Sequence, residues 1–168
     1  MSTYRYAAYG SNLHPLRLRK RVPSARLLGT TYLDGYELRF NKTSWKDGSG
    51  KCNIVPSESR VYLAIFEILE AERTILDTLE GLGSGYNREK LQIDGFGACS
   101  TYVADQGAID ELLFPMDWYK EMVRLGCVVN EFPDFYRRTV EAVAATEDSD
   151  EKRARAQWKI VEELRDAI

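Results

Sequence analysis

The sequence predicts an α+β domain, in which about six strands come first and helices occupy the final third. Residues 61–68 (VYLAIFEI) are almost free of polar side chains, as in a strand that is buried on both faces. Residues 87–93 (NREKLQI) alternate between apolar and polar, as in a half-buried strand. The chain of 168 residues is long enough for one domain with its own core. We therefore expect a single domain over residues 1–168, with residues 147–168 as a peripheral C-terminal helix.

The opening strand, residues 4–9, leads into the turn Gly10-Ser11-Asn12, and a helix over residues 13–22 follows at once. Successive amides in a turn above a helix N-terminus form a site for an anion or an oxyanion. The alternative is an ordinary strand-to-helix turn with an Asn cap. The helix carries a basic cluster, which we interpret as a solvated face rather than an anion contact: Arg17, Arg19, Lys20 and Arg21.

The next segment predicts strands joined by turns. Residues 25–42 predict two strands with a tight hairpin turn at Asp34-Gly35, a dipeptide typical of such turns. The polar, glycine-rich residues 41–51 predict a mobile loop. Two further strands are expected over residues 52–55 and 59–69.

The second half of the chain begins with a helix over residues 70–80, which Gly81 ends as its C-cap. Strands over residues 87–93 and 98–104 follow. The final third predicts three helices, the last with an apolar stripe of Trp158, Val161 and Leu164; their ranges are 117–125, 133–146 and 150–168.

Composition excludes several classes of function. A net charge of −3 and a pI near 5.4 argue against a nucleic-acid surface. We expect neither a membrane span nor a signal peptide. Three widely spaced cysteines indicate reduced thiols and a cytoplasmic protein. With a single histidine, His14, and no close Cys pair, neither a metal site nor a cofactor is expected.

Glu80 is a second landmark, because it lies at the predicted C-terminus of a helix. Negative charge is unfavourable there, by roughly 0.3–1 kcal/mol at the surface. The helix dipole disfavours the ionised form, so this glutamate should be a somewhat better base than an exposed one. The alternative is a surface glutamate that merely tolerates its position.

Two motifs in this order resemble those of a known family. Tyr6-Ala7-Ala8-Tyr9-Gly10-Ser11-Asn12-Leu13 resembles the signature loop of the γ-glutamylcyclotransferase family. Leu76-Asp77-x-x-Glu80-Gly81, with Gly85-Tyr86 after it, resembles the catalytic-glutamate segment of that family. Thr101-Tyr102-Val103 and Pro115-x-x-x-Tyr119 resemble its later aromatic positions. The similarity spans about residues 4–140, and the pair of motifs is more specific than either alone.

The resemblance implies a small mixed β-barrel flanked by helices, with the loop and the glutamate facing one pocket. Glu80 would be the general acid/base of an intramolecular aminolysis that yields 5-oxoproline. Tyr102 and Tyr119 could instead be core aromatics, the role of Tyr86 stays open, and His14 is interpreted as a surface histidine. The substrate-binding residues implied are Tyr6, Ala7, Ala8, Tyr9, Gly10, Ser11, Asn12, Tyr102 and Tyr119.

Three functions remain open on the sequence. The first is a cyclotransferase that releases an amino acid or an amine from a γ-glutamyl compound. The second is a relative with a different leaving group in biosynthesis or detoxification, and the third is a non-catalytic small-molecule-binding module. Retention of Glu80 together with the whole loop favours an enzyme. The expected partner is a small-molecule γ-glutamyl substrate, and a homodimer through the C-terminal helices is one further alternative.

Overall fold

The computed structural model describes residues 1–168, which form five strands and five α-helices. The strands are β1 (Thr3–Ala8), β2 (Arg26–Thr43), β3 (Gly50–Leu69), β4 (Tyr86–Ile93) and β5 (Gly97–Ala104). The helices are α1 (Pro15–Arg21), α2 (Arg73–Glu80), α3 (Asp117–Val129), α4 (Asp134–Glu141) and α5 (Glu151–Asp166). Short 3₁₀ turns cover Glu70–Glu72 and Gln106–Ala108.

The strands form one curled, mixed sheet in the order β2-β3-β1-β5-β4. β1 lies at its centre, antiparallel to β3 and parallel to β5. This position explains the apolar end of β1, since Ala7 and Ala8 have no exposed surface. The predicted fold class, α+β with a small mixed β-barrel flanked by helices and a helical final third, is confirmed, and the five strands form a curled half-barrel.

The hairpin predicted at Asp34-Gly35 is wrong. β2 continues through these residues, and Gly35 lies at a shift in register between Asp34, opposite Arg60, and Tyr36, opposite Pro56. Gly35 has φ of +89°, and it lies opposite residues 57–59, so the irregularity adds residues to β3 rather than to β2. β3 is likewise continuous beside this point, so the two strands expected over residues 52–55 and 59–69 are parts of the single strand β3.

The loop predicted over residues 41–51 is shorter in the structure. β2 extends to Thr43 and β3 begins at Gly50, so only six residues lie between them. Asp47 closes this connection, since its Oδ1 accepts from Ser49 N at 2.9 Å and from Ser49 Oγ at 2.5 Å. The tight turn between the two long strands is therefore here.

α2 ends as the sequence predicts. Gly81 has φ of +73°, and its N–H donates to Thr78 O at 3.1 Å, while Leu82 N donates to Asp77 O at 2.9 Å. This is the left-handed glycine cap of a helix C-terminus. Glu80 is therefore the last residue of the helix, and its backbone position is set by the glycine that follows.

The final helix packs against the body of the domain. Val161 and Leu164 of the predicted stripe are fully buried, and Trp158 is partly buried against the same core. His14 Nε2 lies 3.0 Å from Leu164 O, and His14 Nδ1 accepts from Leu16 N at 3.2 Å as the N-cap of α1. The expectation of a surface histidine is wrong, because His14 is only 2% exposed.

The cysteines and the lengths of the helices are the subject of two further predictions. The three cysteines are buried, and none of them forms a disulfide bond. None of the helices has both the length and the apolar character needed to cross a bilayer.

Candidate functional site

Glu80 faces the turn after the first strand. Its Oε1 accepts from Asn12 Nδ2 at 2.7 Å and from Arg21 NH1 at 3.0 Å. Oε2 has no partner within the protein, and the side chain is 16% exposed. The guanidinium of Arg21 offsets the unfavourable charge of a carboxylate at a helix C-terminus. One oxygen of Glu80 is thus held in place, and the other has no partner within the protein.

The turn opposite Glu80 keeps its amides unpaired. Leu13 N donates to Gly10 O at 3.1 Å, which closes a turn over residues 10–13. The amides of Tyr9, Gly10, Ser11 and Asn12 donate to no acceptor within the protein. Leaving four successive N–H groups without a hydrogen bond costs free energy in a partly buried segment, and it is uncommon in folded proteins. A ligand with oxygen acceptors would satisfy them.

Gly10 is required here by close packing. A Cβ at this position would lie 2.8 Å from Cys52 Cβ and 3.2 Å from Cys52 Sγ. The backbone of the turn therefore rests directly on β3. Only glycine allows this approach, which positions the amides beside the chamber described next.

The turn and Glu80 share a small inner chamber of about 20 Å³. This volume is about that of a single water-sized group. Glu80 is the only carboxylate among its walls. The lining residues are Tyr6, Tyr9, Gly10, Ser11, Asn12, Cys52, Glu80, Tyr86, Tyr102 and Tyr119.

The tyrosine hydroxyls of the chamber are neutral hydrogen-bonding groups. Tyr86 OH donates to Cys52 O at 2.5 Å, and Tyr119 OH accepts from Cys52 N at 3.0 Å. Tyr6 OH accepts from Asn12 Nδ2 at 3.0 Å. Burial raises the pKa of Tyr6, Tyr86 and Tyr119 above that of an ordinary phenol. These groups stay protonated at neutral pH, so Glu80 is the group of the chamber suited to act as a base.

A wider outer cleft of about 170 Å³ adjoins the chamber and shares Ser11, Glu80, Tyr86 and Tyr119 with it. Its walls are strongly basic. The cations that line it are Arg17, Arg21, Lys42, Lys46, Lys51 and Arg153, whereas Asp47 and Glu80 are its only carboxylates. Trp45, Trp118 and Tyr119 give it aromatic walls.

A second set of contacts fixes α2 against the sheet. Asp77, one turn before Glu80, accepts from Tyr102 OH at 2.7 Å and pairs with Arg88. Asp77 is buried, at 8% exposure. These contacts join α2 to β4 and β5 and hold the helix end that carries Glu80.

The structure brings together most of the residues that the sequence singled out. Glu80, Tyr102 and Tyr119 line the chamber with Tyr6 and Tyr9–Asn12. Ala7 and Ala8 do not line it: both are core residues of β1, and Ala7 O accepts from Thr101 Oγ1 at 2.7 Å. The side chains of these two alanines therefore face the core rather than the chamber. The roles of the others stay predictions.

Sequence reasoning missed the basic side of the site. The charge pattern of α1 predicts a solvated face for Arg17 and Arg21, but both line the cleft, and Arg21 binds Glu80. Their spacing of four residues, which puts them on the same helix face, was the available signal. No such signal exists for Lys42 and Lys51, because their meeting depends on strand register.

A larger groove of about 770 Å³ runs elsewhere on the surface, beside Tyr4, Arg73 and Arg88. It contains none of the predicted site residues. Size alone therefore does not identify the site, and the convergence of Glu80 with the unpaired amides does.

Comparison with known proteins gives consistent results. A family model described as gamma-glutamyl cyclotransferase, AIG2-like, matches residues 6–121. A Mus musculus protein, gamma-glutamylcyclotransferase, is 27% identical over 180 residues, covering 99% of this chain and 88% of that protein.

Two solved structures share the fold. A gamma-glutamyl cyclotransferase has a TM-score of 0.79 at 22% identity, with 96% of this chain and 99% of that chain covered. A Homo sapiens protein described as uncharacterized has a TM-score of 0.78 at 23% identity, with the same coverage. Both likenesses concern the fold as a whole, including the helical final third.

Proposed function

Because the chain belongs to the gamma-glutamyl cyclotransferase, AIG2-like family, we propose that it is an enzyme that cyclises a γ-glutamyl compound to 5-oxoproline. The α-amine of the substrate attacks its own γ-carbonyl carbon. A new C–N bond closes the five-membered ring, and the bond to the leaving nitrogen breaks. An amino acid or an amine is released.

The observation that carries this proposal is the position of Glu80. Its Oε1 is held by Asn12 and Arg21, while Oε2 is without a partner beside the chamber. One carboxylate can take a proton from the α-ammonium and deliver a proton to the leaving nitrogen. The reaction requires these two transfers and no redox step, so a single glutamate is a sufficient acid/base.

The turn over Tyr9–Asn12 supplies the second component. Its four unpaired amides would bind the α-carboxylate of the glutamyl group or the oxyanion that develops on the γ-carbonyl. Backbone donors are held rigidly, and they need no reorganisation during the reaction.

The chamber supplies the third component. The nucleophile and the electrophile belong to one molecule, so folding the glutamyl chain into a ring-like pose removes much of the entropic barrier. Buried tyrosine rings wall this space, with Tyr6 and Tyr102 edge to face at 5.9 Å. The chamber itself has room for about one water-sized group, so the folded glutamyl chain would lie across the chamber and the adjoining outer cleft, which share Ser11, Glu80, Tyr86 and Tyr119.

The experiment is to incubate the protein with a panel of γ-glutamyl amino acids and γ-glutamyl amines and to quantify 5-oxoproline by mass spectrometry. We expect turnover by the wild type and a loss of about 10²–10⁴-fold for Glu80→Gln. Glu89→Gln is the matched control, since Glu89 is exposed on β4, and it should keep full activity. Circular dichroism and thermal unfolding would show that both variants are folded.

Two outcomes would contradict the proposal. A wild-type protein that forms no 5-oxoproline from any compound is not a cyclotransferase of this kind. Full activity of Glu80→Gln would remove Glu80 from the mechanism.

A further inference from the structure

The outer cleft holds more positive charge than its carboxylates neutralise. Arg21 pairs with Glu80 at 3.0 Å, and Lys51 pairs with Asp47 at 3.3 Å. Arg153 pairs with Asp148 at 2.5 Å. Each carboxylate of the cleft is therefore already engaged. Three cations of the cleft have no carboxylate within salt-bridge distance: Arg17, Lys42 and Lys46.

Lys42 is buried and Arg17 is half-buried, and removing a charge from water is costly without a counter-charge. Lys42 is 3% exposed, and its Nζ lies 4.5 Å from the centre of the Tyr86 ring. Arg17 Nε is fully buried and makes no hydrogen bond within the protein. Lys46, by contrast, is exposed and needs no partner.

The surroundings compensate these charges only in part. Lys42 lies opposite Lys51 on the neighbouring antiparallel strand, and the carboxylates of Glu80 and Asp47 act on Lys42 without forming a salt bridge with it. Arg17 faces Arg21 from the next turn of α1 and also feels the charge of Lys51. Burial lowers the pKa of Lys42, and it lowers the pKa of Arg17 to about 9. Arg17 nevertheless remains charged at neutral pH.

Both cations are also close to the reacting group. The charge of Glu80 acts on Lys42 and on Arg17, and all three residues line the outer cleft. Lys42 packs against Tyr86, which belongs to the chamber as well. A group leaving the γ-carbonyl would therefore leave towards these two cations.

The number of carboxylates on the substrate decides whether both unpaired cations of the cleft can be compensated. If the unpaired amides of Tyr9–Asn12 bind the α-carboxylate of the glutamyl group, the first of the two roles proposed for them, that carboxylate leaves Arg17 and Lys42 uncompensated. The α-carboxylate of a leaving amino acid would compensate one of these two cations. The other cation still needs an anion, and a neutral leaving side chain provides none.

We propose that Arg17 and Lys42 form a subsite for a leaving group with two negative charges, so that the preferred substrates are γ-glutamyl derivatives of acidic amino acids. This proposal rests on the proposed function and deepens it. Arg17 and Lys42 are the specificity-determining residues, each expected to bind one carboxylate of the leaving group. Trp45 and Trp118 form the aromatic walls around it.

The decisive comparison uses γ-glutamyl-glutamate and γ-glutamyl-glutamine, which have the same shape and differ by one charge. We expect kcat/KM to be about tenfold or more higher for the acidic compound at low salt. The preference should shrink as ionic strength rises, because salt screens charges at an open cleft. In Arg17→Gln and in Lys42→Gln, the ratio of the two kcat/KM values should fall towards one.

Arg19→Gln is the matched control, because Arg19 lies on the same helix and is exposed. It should keep the wild-type ratio. A thermal unfolding curve for each variant would verify folding. A wild-type protein that turns over both compounds equally well overturns this inference while the proposed function stands.

Binding measurements keep the two proposals separable. If no compound yields 5-oxoproline, the proposed function fails, and calorimetric titration of Glu80→Gln with the same two compounds decides the inference. Tighter binding of γ-glutamyl-glutamate, reduced by Arg17→Gln or Lys42→Gln, supports the subsite. Equal affinity for the two compounds overturns it.

Discussion

Asn12 Nδ2 donates to Glu80 Oε1 over 2.7 Å, and the same nitrogen donates to Tyr6 OH over 3.0 Å. This one amide joins the first strand, the turn after it and the end of a helix 68 residues later in the chain. Asn12 is 3% exposed. A buried amide that bridges two side chains holds both in one orientation.

Replacing Asn12 by alanine should therefore reduce activity more than stability. Asn12→Ala leaves Glu80 with Arg21 alone, so the carboxylate can swing, and misplacement of a catalytic group by about 1 Å costs roughly 10²-fold in rate. The stability loss should be about 1–2 kcal/mol, as for one buried hydrogen-bonded group. Steady-state kinetics and urea denaturation measure the two effects.

Asn87→Ala is the control for this prediction. Asn87 is exposed, and its Nδ2 contacts only Asp105 Oδ1 at 3.3 Å. It should leave both rate and stability unchanged. Wild-type turnover in Asn12→Ala would show that Glu80 needs no support from the turn.

Gly10→Ala should destabilise the fold by about 1–3 kcal/mol, because it inserts a methyl group into a packed interior. The new Cβ would meet Cys52 Cβ at 2.8 Å. The turn would have to move away from β3, and activity should fall with it. Urea denaturation and kinetics would test both parts.

Gly107→Ala is a fair comparison, since a Cβ there meets only the flexible Asp105 carboxylate, at 3.3 Å. We expect a change within about 0.5 kcal/mol. Equal stability of Gly10→Ala and the wild type would mean that the turn tolerates a larger residue.

His14 should make the protein less stable in mild acid. Burial lowers the pKa of His14 below its ordinary value of 6.5, so the unfolded chain takes up this proton first as pH falls. Stability then decreases with falling pH in that range. A proton on Nδ1 would also oppose the N–H of Leu16, which donates to that atom at 3.2 Å.

His14→Asn keeps a good N-cap residue but does not titrate. Its free energy of unfolding, measured by urea at pH 7, 6 and 5, should fall less steeply than that of the wild type. Parallel curves for the two proteins would show that His14 contributes nothing to the acid sensitivity.

Arg17→Met should stabilise the protein at neutral pH while it weakens turnover of acidic substrates. Burial lowers the pKa of Arg17 to about 9 from 12.5, so folding opposes its protonation. This cost is fully present below about pH 9 and disappears as pH rises towards the unfolded value. We expect a gain of about 1 kcal/mol, or roughly 2–4 °C in Tm, since partial exposure screens the charge.

Arg19→Met is the control, and its Tm should stay near that of the wild type because Arg19 is exposed. If Arg17→Met unfolds at a lower temperature than Arg19→Met, the Arg17 charge is compensated in a way that its contacts do not show.

Local features were predictable because neighbouring residues decide them. The turn Gly10-Ser11-Asn12 follows from small and polar residues between a strand and a helix, and the end of α2 follows from Gly81. The apolar run in β3 is equally local. Features that depend on distant partners were missed. Asp34-Gly35 is compatible with a hairpin turn, but pairing with β3 carries β2 through these two residues.

The sequence by itself determined the two halves of the candidate site, the amide turn and the glutamate at a helix end, since each is encoded in a few consecutive residues. Only the tertiary structure decided what surrounds them. Strand register placed Lys42 opposite Lys51, and helix packing turned Arg17 and Arg21 towards Glu80. The charge of the cleft arises from residues that are far apart in the chain, so no single stretch of the chain contains it.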